Sequence, residues 1–166
     1  DIGEKTKHYR GINAQALIEI INNAKIACGY HEGSENIIET TIRIAKENNV
    51  SIGAHPGFDE KENFGRKRIE LEKNELKELI RDQLEIISDI AFAHQWPITH
   101  VKPHGALNNM ACENFDAGLA IGESIYEFNK DLIYLVLPLS EMEKAAQQLN
   151  LKYACEIDRK TSCRDR

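Results

Sequence analysis

Short apolar runs alternate along this chain with segments whose apolar residues recur every three or four positions. Side chains repeat every two residues along a strand and about every 3.6 around a helix, so the first kind reads as buried strand and the second as half-covered helix. Ala24 to Gly29 reads as a strand. A helix follows, started by Ser34, covered by Ile38, Ile42 and Ala45, and ended by Asn48-Asn49. Val50 to His55 is the next strand, broken by Pro56-Gly57. A polar loop over 59–68 leads into a long helix over about 74–94, with Leu76, Leu79, Ile80, Leu84, Ile87 and Ala91 on one face. Ile98 to His104 predicts a strand, and Ala117, Ile121, Ile125 and Phe128 mark another helix. Leu132 to Leu137 is the clearest buried strand. Ser140 and Glu143 form an S-x-x-E capping box, ahead of a helix striped by Met142, Ala146 and Leu149. Lys152 to Ile157 predicts the last strand, and Asp1-Ile2-Gly3-Glu4 the end of an earlier one.

Such alternation argues for a parallel sheet with crossover helices, as an open doubly wound sheet or an incomplete barrel. No linker, repeat or low-complexity segment divides the chain, so 1–166 reads as one domain. The chain opens on Asp1 rather than Met and closes on a polar stretch without an element signal, so both ends read as truncated. The net charge is -6, with basic residues scattered and no basic run longer than Arg66-Lys67-Arg68. That argues against nucleic acid, where phosphates demand clustered cations. No apolar run approaches the ~18 residues of a membrane span, and the cytoplasm is the default expectation. The four cysteines show no C-x-x-C spacing, which speaks against a zinc ribbon and for free thiols.

In parallel α/β folds the sites form where strands end and the following loops converge. Here the strand ends carry Asp1 and Glu4, then Tyr30-His31-Glu32-Gly33, then His55-Pro56-Gly57, then Lys102-Pro103-His104-Gly105. Residues two apart on a strand share a face, so Lys102 and His104 point one way, with His100 behind them. One such histidine is ordinarily a satisfied polar group, Lys102 alone would be a surface charge, and Glu32 and Arg66 read as solvated. Three histidines at three strand ends read as a site. Other motifs fail: His31-Glu32-Gly33-Ser34-Glu35 lacks the second histidine of a zincin. There is no G-x-x-x-x-G-K-[ST] loop, no G-x-S-x-G elbow and no G-x-G-x-x-G after a strand.

Ile26-Ala27-Cys28-Gly29-Tyr30-His31, Ile52-Gly53-Ala54-His55-Pro56-Gly57-Phe58 and His100-Val101-Lys102-Pro103-His104-Gly105-Ala106-Leu107 resemble three signature blocks of the LamB/YcsF family. Asp1-Ile2-Gly3-Glu4 resembles the end of its first block, and Phe64-Gly65-Arg66 its loop after the third strand. The matches keep family order and spacing over 1–110. The chain departs from the family pattern at Lys25, Ser34 and Asn108, where the family usually has Asn, Asp and Tyr.

The resemblance implies a deformed (β/α) barrel of the glycoside hydrolase and deacetylase type, incomplete here. It implies work as the A subunit of an ATP-dependent 5-oxoprolinase, with the B and C subunits as partners and 5-oxoproline as the lactam substrate. Asp1, Glu4, His31, His55, Lys102 and His104 carry over as the expected site. ATP is the expected cofactor. Two other readings remain: a deacetylase-like hydrolase using a divalent metal, with Asp1, His55 and His104 as candidate ligands, and a truncated relative that binds without turnover.

Overall fold

The structure, a computed structural model, describes Ile2 and residues 17–156. Five parallel strands lie in sequence order: β1 (Asn23–Ala27), β2 (Ser51–His55), β3 (Ile98–Val101), β4 (Ile133–Val136) and β5 (Tyr153–Cys155). Five helices connect them or follow them: α1 (Glu35–Glu47), α2 (Lys73–Ala93), α3 (Gly105–Glu113), α4 (Phe115–Asn129) and α5 (Glu141–Gln148). Ile2 bridges Ile26 in parallel, which sets Ile2 beside β1.

Each strand sorts its residues by face. Ala24 and Ile26 of β1, Ile52 and Ala54 of β2, Val101 of β3, and Tyr134 and Val136 of β4 are buried within the core. Ile38 and Ile42 of α1 and Ile80, Leu84 and Ile87 of α2 belong to the same core. The pairing register puts Lys25, Gly53 and His100 in one row across β1, β2 and β3 on the other face. On β4 and β5 that face carries Leu135 and Ala154, which are register partners.

The sheet curls toward that second face. Flat, β1 and β5 would stand about 19 Å apart, four strand spacings. Yet Lys25 Nζ lies 2.7 Å from Glu156 Oε1, which no lysine and glutamate could span across a flat sheet. The strands therefore form an arc of a barrel, with the polar face inside.

The observed elements differ from the sequence expectation in four places. β3 ends at Val101 rather than His104. The backbone nonetheless stays extended, because Lys102 N–H donates to Ala54 O and His104 N–H to Pro56 O. Helix α3 begins directly at Gly105 and was hidden by its mixed sequence GALNNMACE, which lacks an apolar stripe. β5 is shorter than Lys152 to Ile157 at its described end. Glu143 completes only half of the predicted box: Ser140 Oγ accepts from Glu143 N–H, but the Glu143 carboxylate takes Leu139 N–H instead of that of Ser140.

Candidate functional site

His31, His55 and His104 meet at the C-terminal ends of β1, β2 and β3. Each arrives from a different segment: the turn after β1, the last residue of β2, and the residue that caps α3. The rings of His31 and His104 stack in parallel, 3.9 Å between centroids and 4° between planes. His55 stands edge-on to His104 at 4.9 Å. All three are buried.

Backbone without side chains makes room for these rings. A Cβ on Gly57 would lie 2.6 Å from His31 Nδ1, and one on Gly53 2.3 Å from His100 Cδ2. Glycine at both positions is thus a packing demand of a histidine on another segment.

Hydrogen bonds fix the rings. His55 Nδ1 donates to Lys102 O at 2.6 Å, and His104 Nε2 to Phe64 O at 2.8 Å. His55 Nε2 and His104 Nδ1 face each other at 3.1 Å. His100 lies deeper, its Nδ1 on Thr99 Oγ1 at 2.8 Å. Thr99 donates its own hydrogen to Ile52 O, so it accepts from His100 Nδ1 and leaves Nε2 as the bare nitrogen. That Nε2 is buried and has no hydrogen-bond partner. Burial, reinforced by the charge of Lys25, lowers the His100 pKa to about 4, so the ring is neutral near pH 7.

Lys102 is buried at 7% exposure, and its Nζ pairs with Glu156 Oε2 at 3.0 Å. Glu156 also accepts from Lys25 Nζ. Burial opposes the charged carboxylate, but the hydrogen bond from Lys25 and the charge of Lys102 prevail and hold its pKa at about 2. Sequence reasoning missed Glu156. Its signal was its place just past the last strand, two residues beyond Ala154 and so on the same inner face. Lys25, where the family has Asn, is the departure that touches the crevice. Ser34 caps α1 without a side-chain hydrogen bond, and Asn108 is buried on α3 with Nδ2 toward Cys112 Sγ at 3.8 Å.

Of the six expected site residues, the structure brings together His31, His55, Lys102 and His104. Asp1 and Glu4 lie outside the described residues. Arg66 is exposed, as expected, and Glu32 is half-buried. Cys28 and Cys112 are buried thiols outside any disulfide, and burial pushes the Cys28 thiol up to about 12, too high to serve as a nucleophile.

The metal reading needs bare nitrogens on His55 and His104. Both outer nitrogens donate to carbonyls, so in neutral rings the lone pairs sit on His55 Nε2 and His104 Nδ1, which face each other at 3.1 Å, and the third candidate ligand, Asp1, lies outside the described residues. Among the described residues no group of three or more His, Cys, Asp or Glu is arranged to hold a metal. No described helix is long and apolar enough to cross a membrane.

A curled parallel sheet with histidines and a lysine gathered at its strand ends defines an α/β protein of the barrel type, with a polar crevice at the C-terminal rim. Residues 1–163 match the LamB/YcsF family, and the chain belongs to it. It is 37% identical over 157 residues to the 5-oxoprolinase A subunit of Staphylococcus epidermidis, covering 95% of this chain and 62% of the relative. It is 40% identical over 156 residues to the 5-oxoprolinase A subunit of Clostridium beijerinckii, covering 94% and 61%. The crystal structure of a lactam utilization protein from Thermus thermophilus superposes with a TM-score of 0.88 at 32% identity, over 93% of this chain and 63% of that one. The chain thus spans about three fifths of the length of these relatives.

Proposed function

We infer that this chain does the work of the A subunit in an ATP-dependent 5-oxoprolinase, opening 5-oxo-L-proline to L-glutamate together with the B and C subunits. The observation that supports this most is the meeting of His31, His55, His104 and Lys102 at three adjacent strand ends, in a chain whose relatives bear that name.

The chemistry asks for such a set. A lactam is a stable amide, and opening it needs activation of the carbonyl oxygen, a water nucleophile and a proton for the leaving nitrogen. Phosphorylation of the lactam oxygen makes the ring carbon a far better electrophile, which accounts for a need for ATP. Lys102, already buried and paired, stabilises the developing oxyanion or a phosphoryl group through its remaining N–H bonds. The His55–His104 pair moves protons near neutral pH. Asp1 or Glu4 orients a histidine or would help hold a divalent metal.

The test mixes this chain with the B and C subunits, 5-oxoproline and ATP, and measures glutamate, a full-length A subunit serving as control. Glutamate above the chain-free background supports the reading. No glutamate beside an active control refutes it for this chain and favours a binding-only relative.

A further inference from the structure

His100 is the histidine that the crevice chemistry above leaves unused. Its Nε2 is buried and has no hydrogen-bond partner among the described residues. The residue is only 5% exposed, so this nitrogen is not turned to bulk water. The other side of the ring fixes the tautomer. Thr99 Oγ1 donates its hydrogen to Ile52 O at 3.2 Å and accepts that of His100 Nδ1 at 2.8 Å. The neutral ring therefore presents a lone pair, and no hydrogen, at Nε2. A desolvated acceptor that meets no donor is costly, and a folded protein that keeps one calls for a reason.

The surroundings say what donor would fit. His100 stands on the inner face of the arc, in register with Gly53. A Cβ on Gly53 would lie 2.4 Å from Nε2, so this edge of the ring occupies room that any other residue there would fill. Lys102, two residues further on, shares the face. Its Nζ is held by Glu156 at 3.0 Å, and Glu156 and Lys25 are among the charges that act on the His100 ring. The inner face thus carries an N–H donor, Lys102, on the same side as a bare acceptor, His100.

A five-membered lactam is the complement of that arrangement. Ring closure forces its amide to be cis, with the carbonyl oxygen and the N–H on one edge. We propose that His100 is a specificity-determining residue whose Nε2 accepts the N–H of the lactam ring. The inference rests on the oxoprolinase reading, which supplies the lactam and gives its oxygen to Lys102. The contact holds the ring in place, and no proton passes through it. It selects a ring nitrogen that bears hydrogen. The corresponding lactone sets an oxygen lone pair against the lone pair of Nε2. A site that hydrogen-bonds an N–H rejects the analogue lacking it, whereas a site that only fits the shape does not.

The experiment titrates the whole 15N-labelled chain with 5-oxo-L-proline and with its lactone isostere, 5-oxotetrahydrofuran-2-carboxylate, at about pH 7.5, a unit above the ordinary histidine value. Long-range 1H–15N correlation NMR reads the His100 ring, and calorimetry reads the affinities. In the free chain His100 should carry hydrogen on Nδ1 and none on Nε2. 5-Oxoproline should move the Nε2 resonance upfield and leave Nδ1 in place. The lactone should bind about 10-fold more weakly or worse. His100→Phe should close that gap by losing affinity for the lactam alone. The proposal is overturned if Nε2 bears hydrogen in the free chain, if 5-oxoproline binds and leaves Nε2 unmoved, or if the lactone binds as tightly as the lactam. Those results leave the oxoprolinase reading to its own glutamate assay. A chain that binds no 5-oxoproline also overturns the proposal, and the glutamate assay again decides the wider reading separately. Should His100→Phe fail to fold, the two titrations of the parent chain decide, with the His100 signals assigned through the backbone.

Discussion

The two faces of the sheet are made from one chain by opposite rules. The helix-covered face carries Ile26, Ile52, Val101 and Val136, which fill volume and touch anything of the right shape. The inner face carries Lys25, Gly53, His55, His100 and Glu156, where nearly every side chain has a named partner at a fixed distance. The outer face is redundant: many apolar contacts share the load. The inner face is a chain of dependencies, in which a glycine on β2 exists for a histidine on β3. One face therefore resists substitution by averaging, and the other fails at single positions.

Substitutions can break that contrast in order of effect. His104→Gln should cut glutamate formation about 10²- to 10⁴-fold in the reconstituted enzyme while circular dichroism stays unchanged. Loss of structure instead would make His104 a packing residue. Ile87→Ala on α2 should cost about 2–5 kcal/mol in urea unfolding, with the activity of the remaining folded protein retained. Gly53→Ala presses a methyl into the His100 ring and should cost about 1–3 kcal/mol. Pairing it with His100→Ala should recover part of that cost, and strict additivity would show that the ring is not the obstacle.

Acid sharpens the contrast further. His100 binds protons more weakly folded than unfolded, so its contribution is complete above about 6.5 and is lost as pH falls toward about 4. Glu156 has a lowered folded pKa too, so its contribution is present above about 4.5 and lost toward about 2. Urea midpoints between pH 7 and 3 should fall in those two windows, the upper flattened by His100→Gln and the lower by Glu156→Gln. The smallest effect belongs to a helix cap: Ser140→Ala should cost about 1 kcal/mol and leave activity alone.

The sequence revealed most where its pattern was regular. Period-two and period-3.6 signals gave all five described strands and the helices α1, α2, α4 and α5. Helix α3 escaped because its start is set by the turn at Gly105 and its mixed sequence offers no stripe. The three histidines were legible because each ends or follows a strand close to a proline or glycine: His55 before Pro56, His104 between Pro103 and Gly105, and His31 two residues from Gly29 and Gly33. Their stacking was not, since it depends on the curl of the sheet. Glu156 was invisible for the same reason: its partner on β1 is 131 residues away, and only closure of the arc brings the two together.

That long-range pair also sets an order of assembly. Each strand–helix–strand unit can form from neighbours in sequence, with little loop entropy to overcome. Lys25 and Glu156 can meet only after every intervening unit has docked. The contact that steadies Lys102 is thus among the last to form, and a folding intermediate that already has most of its core would still lack a finished crevice.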